Sequence, residues 1–74
     1  MTTRILGRTI ESAAGGHYAT VVEERPGHVS AIVWRRRHGC AAKRVDAWIL
    51  DCPFHVACDR VHAIVYPLPD GDRA

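Results

Sequence analysis

The chain has 74 residues, the size of one small domain whose folding buries only about 60% of the unfolded surface. Hydrophobic residues make up 47% of it and charged residues 24%, a composition that is ordinary for a globular protein and argues against intrinsic disorder. The formal net charge of +2 is only mildly basic and does not by itself indicate a nucleic-acid partner. The sequence thus predicts a single domain over residues 1–74 with a small core, which a partner would help to stabilise.

Two further observations concern the compartment. No apolar run approaches the ~20 residues of a membrane span, and Met1–Ile5 lacks the long apolar region of a signal peptide. The three cysteines, Cys40, Cys52 and Cys58, are an odd number that would leave one unpaired in an oxidising compartment. We therefore expect reduced thiols, no membrane association and a cytoplasmic location.

The first half of the chain is typical of three strands. Arg4–Ile10 predicts the first strand, Ser12–Gly16 a flexible loop, and His17–Glu24 a second strand rich in β-forming residues. Pro26-Gly27 then supplies the fixed φ and the permissive φ that the two central positions of a type II turn require. The second strand and a third, about His28–Arg36, are therefore predicted to form a hairpin.

The second half predicts one helix and two more strands. Between about Cys40 and Cys52 the apolar residues recur with helical spacing, and Pro53 would end the helix because it disfavours helical geometry at the preceding residue. The residues of this apolar face are Ala41, Val45, Trp48, Ile49 and Cys52. Phe54–Cys58 and Val61–Tyr66 then predict a fourth and a fifth strand, with Asp59-Arg60 as the turn between them, and residues 68–74 predict a polar tail.

The predicted order β-β-β-α-β-β defines an α+β fold, a mostly antiparallel five-stranded sheet with one helix packed on one face and a core over about residues 4–67. The other face would be uncovered, although the segments 31–34 and 61–66 are apolar on both sides. Two interpretations remain open. In the first, the helix, the loop and the tail cover more of the sheet than a two-layer arrangement implies. In the second, the open face is a surface for a partner or for a homodimer.

A basic cluster follows the third predicted strand. In the predicted helix, Lys43 and Arg44 would occupy the first turn, where the helix dipole disfavours cations. Cations kept at a helix N-terminus despite this electrostatic cost are typical of a site for an anion, either a phosphate backbone or an acidic protein surface. The alternative is that they are ordinary solvated surface charges. Trp34 is either a stacking platform for a base or a core residue. The candidate partner-binding residues are Arg35, Arg36, Arg37, Lys43, Arg44 and Trp34.

Four residues have spacings that resemble those of zinc ligands, namely Cys52, His55, Cys58 and His62. Thiolate and neutral imidazole suit tetrahedral zinc. In the predicted fourth strand, however, His55 faces away from Cys58, and the paired knuckles of structural zinc sites are absent from the sequence. We therefore predict no metal and no other cofactor, with zinc at these four residues as the alternative and thiols that act as small hydrophobes as the main interpretation.

Catalytic motifs are missing as well. The sequence has no glycine-rich phosphate loop, no nucleotide fingerprint and no pair of carboxylates in distinct environments. Cysteines and histidines that are neighbours in sequence do not by themselves provide the geometry of a nucleophile and its base, and a chain of this size has little room for a deep pocket. The expectation is a non-catalytic binding protein.

Several short segments carry a resemblance to a known class of proteins. They are Gly16–Glu24, the Pro26-Gly27 turn, Ala41-Ala42-Lys43 at the start of the predicted helix, Pro53–Val56, and Val61–Pro67. In these segments, and in its predicted element order, the chain from about Glu11 to Pro67 resembles small phage-encoded anti-CRISPR proteins that inhibit type I systems.

The resemblance implies a non-catalytic inhibitor in the host cytosol that docks on a CRISPR surveillance complex and blocks DNA binding or nuclease recruitment. Such inhibitors bind through surface charge and exposed backbone edges, so the resemblance brings no active site with it. The alternative function is a small nucleic-acid-binding or antitoxin-like module, in which the cluster Arg35–Arg37 contacts phosphate directly.

Overall fold

Four antiparallel strands in chain order are followed by one helix. The structure, a computed structural model, describes residues 5–37 and 39–69. Its elements are β1 Leu6–Glu11, β2 His17–Arg25, β3 His28–Arg37, β4 Cys40–Leu50 and α1 Phe54–Val65, and the sheet order is β1-β2-β3-β4. The predicted α+β class, with one helix on an antiparallel sheet, is confirmed. The predicted five strands and the order β-β-β-α-β-β are wrong, because the observed order is β-β-β-β-α.

The first three strands lie close to their predicted positions, although the predicted start at Arg4 is outside the described residues. β2 and β3 form the expected hairpin, in which Arg25 pairs with His28 across the turn. Gly27 in that turn has a φ of 77°, close to the value of about +80° that a type II turn requires there. The prediction from Pro26-Gly27 is therefore confirmed.

The segment predicted as a helix, about Cys40–Cys52, is instead strand β4. Two neighbouring residues of β3 pair with Asp46 and Arg44, so Val45 is an extra residue in β4, a β-bulge. A bulge shifts the two-residue alternation of side chains by one position, and the apolar residues on its two sides therefore fit no single strand pattern. Gly39, with a φ of 71°, lies in the turn between β3 and β4.

The two strands predicted at 54–58 and 61–66 are a single helix, α1. Pro53 precedes it with a φ of −58°, and a proline is tolerated there because the first turn needs no N–H from that residue. The buried helix residues recur with helical spacing and are Ala57, Cys58, Val61 and Val65. Asp59-Arg60 resembled a turn in the sequence, but both residues belong to the exposed side of the helix.

The core lies between α1 and one face of the sheet. The buried apolar residues of the sheet alternate along the strands, and they are Ile10, Ala19, Val21, Val29, Ala31 and Val33. The helix packs mainly against β1, β2 and β3, so β4 extends beyond it and most of β4 is exposed. After the helix, Leu68 packs against the core, and the predicted tail lies outside the described residues from residue 70 onward.

The backbone at one end of the sheet is tied to the helix. The Ala13 N–H donates to the Tyr66 carbonyl at 3.0 Å, which connects the β1–β2 loop to the end of α1. The His17 N–H donates to the Ser12 hydroxyl oxygen at 3.0 Å within the same loop. Over residues 5–37 and 39–69, no helix combines the length and the apolar character needed to cross a membrane.

Candidate binding surface

The sheet face that points away from α1 is not covered by any described segment, and we call it the open face. The pairing register arranges its side chains in rows of four, one from each strand. The row at one end, which we call the aromatic row, consists of Glu11, Tyr18, Trp34 and Arg44. The next two rows are Thr9, Thr20, Ile32, Ala47 and Gly7, Val22, Ser30, Ile49. Because many of these side chains are small, the open face is shallow, and the aromatic and charged side chains of these three rows all lie in the aromatic row.

Two aromatic rings lie side by side at the centre of the aromatic row. The centroids of the Tyr18 and Trp34 rings are 6.4 Å apart, and their planes are inclined by only 17°. The Trp34 indole N–H donates to the Thr20 hydroxyl oxygen at 3.4 Å, which restrains the ring. Both rings are half-buried, so the pair presents a continuous aromatic surface on an otherwise shallow sheet.

Arg36 extends this surface. Its guanidinium carbon lies 4.7 Å from the centroid of the Tyr18 ring, within the range of a cation–π contact. Its Nη1 is 2.7 Å from a Glu11 carboxylate oxygen and donates to the Gly15 carbonyl at 2.9 Å. Three contacts therefore hold one guanidinium in place over the aromatic row.

The structure separates the six predicted partner-binding residues. Trp34, Arg36 and Arg44 come together on the open face, where Arg44 pairs directly with Trp34. Arg35 and Lys43 pair with each other on the face that carries the helix. Arg37 is exposed at the end of β3. The prediction that Lys43 and Arg44 occupy the first turn of a helix is wrong, because both lie in β4, and the helix dipole has no part in their placement.

Arg35 and Lys43 belong to a row on the helix side of the sheet. His17 of β2, which pairs with Arg35, is the third residue of this row. Among the described residues, His17 Nδ1 and Arg35 Nε are buried nitrogens without a hydrogen-bond partner. This row lies on the opposite face of the sheet from the aromatic row. Cations at this end of the sheet therefore project both on the open face and on the face that carries the helix.

The four residues of the zinc alternative do not converge. His55, Cys58 and His62 all lie on α1, but Cys58 is buried and both histidines are exposed. In the described part of the chain, no three His, Cys, Asp or Glu side chains form a group that could hold a metal ion. Burial raises the pKa of the Cys58 thiol, and the neighbouring Arg8 only partly offsets this effect. Cys58 therefore favours its neutral form, as expected for a thiol that packs as a small hydrophobe.

Three residues of the surface are absent from the binding residues predicted from the sequence, namely Glu11, Tyr18 and Thr20. The alternation of Tyr18, Thr20 and Val22 along the second predicted strand was the available signal, since these residues share one face of β2. Alternation along one strand does not show which residues of β1 and β3 lie beside them.

Together, the fold and this surface define a small α+β protein with an aromatic and basic patch on an open antiparallel sheet. No protein-family model matches the chain, and neither a curated protein nor a solved structure matches it.

Proposed function

We propose that the chain is a non-catalytic protein that binds single-stranded nucleic acid on its open face. The observation that carries this proposal is the aromatic row together with Arg36, whose guanidinium lies over the Tyr18 ring while Arg44 pairs with Trp34 on an uncovered sheet. Aromatic rings and guanidinium planes on a sheet are surfaces on which unpaired bases stack. Cations beside them neutralise the phosphates of the same strand.

The shape of the surface favours a single strand over a duplex. A duplex is read by an element that enters one of its grooves, whereas the open face is shallow and presents ring surfaces. In a duplex the faces of the bases are stacked on one another and are not accessible to Tyr18 or Trp34. A single strand exposes both its bases and its phosphates, which are the two groups that the aromatic row complements.

The expected energies are within reach of a binding assay. Stacking of one base on an aromatic side chain contributes about 1–3 kcal/mol, which corresponds to about 5- to 150-fold in affinity. Trp34→Leu should therefore weaken binding by at least about fivefold. Trp34→Phe keeps a ring at the same position and should restore most of the affinity.

The test is the fluorescence anisotropy of a labelled oligothymidylate titrated with the full chain at several salt concentrations. Arg44→Gln removes one cation from the aromatic row, and it should lower the slope of log K against log salt by about 0.7. Arg60→Gln removes the same charge from the exposed side of α1 and is the matched control, for which no change is expected. Equal effects of the two variants would show that any binding is non-specific charge attraction and would overturn the proposed surface.

The inhibitor implied by the sequence resemblance is a second candidate. The observed order β-β-β-β-α removes the predicted element order and the predicted helix start from that resemblance, so what supports this candidate is that the cations project on both faces of the β3–β4 hairpin. A single strand on the open face would not contact Lys43, whereas an acidic protein surface that encloses the hairpin end would contact Lys43, Arg37 and Arg44 together. Lys43→Glu separates the two functions. It should leave oligonucleotide binding unchanged if the open face binds a single strand. It should weaken capture by a purified type I CRISPR surveillance complex if the chain is such an inhibitor.

A further inference from the structure

We infer that two copies of the chain associate through strand β4 and the apolar groove beside it. β4 is an edge strand of 11 residues, and it contains no proline. Among the described residues, no strand pairs with the outer side of β4, and an unpaired edge of this length is a template for association. Within the strand, the Ala47 N–H donates to the Asp46 carboxylate at 2.9 Å. The opposite edge, β1, has 6 residues and packs against α1.

The groove lies where the helix leaves β4 uncovered. It consists of two adjoining hollows of about 420 and about 280 Å³, and Trp48 and Ile64 contribute to both. The remaining lining includes Leu50 in the first hollow and Val45 and Leu68 in the second. Val45 and Ile64 both line the second hollow, and their side chains are 45% and 46% exposed.

The edge and the groove share strand β4, so one occupant can cover both. A second copy that pairs antiparallel about a two-fold axis at Trp48 places the two Trp48 side chains, and hence the two grooves, opposite each other. Ala47 of one copy then opposes Ile49 of the other. Beyond the bulge residue Val45, Arg44 approaches Asp51 of the second copy.

The charges along β4 complement this arrangement. Lys43 and Arg44 lie in its first half, Asp46 lies in its second half, and Asp51 follows directly after the strand. Antiparallel pairing brings the basic part of each copy beside the acidic part of the other, whereas a parallel, in-register pairing would oppose like charges along the strand. A small core that buries limited surface would gain stability from the same contact. The inference does not depend on the proposed function, because the open face remains uncovered in such a dimer.

The first test is sedimentation velocity of the full chain over a wide range of concentration. The expected result is a reversible transition from the 8.2 kDa chain to twice that mass. Val45→Lys and Ile64→Lys should each shift the transition at least tenfold toward higher concentration. Ile5→Lys introduces the same charge at a 67% exposed position before β1, on the opposite edge of the sheet, and should leave the transition unchanged. Circular dichroism of each variant verifies the fold.

Disulfide trapping is the second test and does not depend on disruptive variants. In a Cys40→Ser background, which removes the exposed native thiol, an equimolar mixture of A47C and I49C chains should form mixed disulfide dimers faster than either variant alone. Equal rates would overturn the proposed register. A wild-type chain that is monomeric at every concentration would overturn the dimer.

Discussion

Arg36 is predicted to stabilise the fold as well as the open face, and Arg36→Ala measures that contribution. The substitution removes an ion pair of 2.7 Å with Glu11, a cation–π contact of 4.7 Å with Tyr18 and a hydrogen bond of 2.9 Å to the Gly15 carbonyl. An exposed ion pair contributes about 0.2–1 kcal/mol and an exposed cation–π contact about 0.5–1 kcal/mol. With the hydrogen bond reduced by solvent competition, the free energy of unfolding should fall by about 1–2 kcal/mol.

Urea denaturation followed by circular dichroism is the assay. With an m-value of about 1 kcal/mol/M, the expected loss lowers the unfolding midpoint by about 1–2 M. Arg37→Ala, at the adjacent exposed arginine, is the control and should cost less than about 0.5 kcal/mol. A double-mutant cycle with Glu11→Ala isolates the ion pair, for which we expect a coupling of about 0.2–1 kcal/mol. If Arg36→Ala costs no more than Arg37→Ala, the three contacts do not stabilise the protein and this reasoning is wrong.

Two further predictions concern the hairpin turn and the buried thiol. Gly27→Ala should destabilise the chain by about 1–2 kcal/mol, because an alanine is strained at a φ of 77°. No atom lies within 4 Å of the added Cβ, so the whole loss comes from the backbone conformation. Gly7→Ala in β1, where the φ is not positive and the Cβ meets only the Val21 carbonyl at 3.9 Å, should be neutral or slightly stabilising; equal losses in thermal unfolding would contradict the turn assignment. For Cys58, burial raises the thiol pKa above the ordinary value of 9.0, so the unfolded chain ionises first and the free energy of unfolding should fall as pH rises above that value. Cys58→Ala should lose this part of the pH dependence, and its persistence in denaturation curves of that variant would refute the assignment to Cys58.

The sequence predicts the first three strands well because their signals are local. Side chains alternate along His17–Glu24, and Pro26-Gly27 meets the backbone requirement of a tight turn. These signals do not depend on what the segments pack against, and the structure confirms the hairpin that they predict.

The second half of the chain predicts the wrong elements because a bulge and an uncovered edge conceal the strand pattern. The extra residue at Val45 breaks the alternation of β4, and most of this strand is exposed because α1 packs mainly against β1, β2 and β3. The apolar spacing of Ala41, Val45 and Trp48 then resembled a helix by coincidence. The helical stripe of α1 was present in Cys58, Val61 and Val65, but reading Asp59-Arg60 as a turn divided it.

The candidate site could be predicted in composition but not in arrangement. The sequence identifies Trp34 and the neighbouring cations, yet which of them share a face depends on the register of the strands. If the pairing of Arg25 with His28 continued without a shift, Tyr18 would oppose Arg35. The irregularity between Glu23 and Arg25 moves the register by one residue and places Tyr18 beside Trp34. A bulge of this kind is a tertiary feature that the local sequence does not specify.

The most direct test of the central claim, that the aromatic row binds unpaired bases, is the fluorescence of Trp34 in a Trp48→Phe variant. The chain has two tryptophans, and Trp48 lies on the opposite face of the sheet, so this variant reports on the open face alone. Unlabelled oligothymidylate should quench the emission in a saturable manner, because a base stacks on the indole. The converse variant, Trp34→Phe, leaves only Trp48 and should show no quenching. An unchanged Trp34 emission at saturating oligonucleotide, or equal quenching of Trp48, would contradict the proposed function.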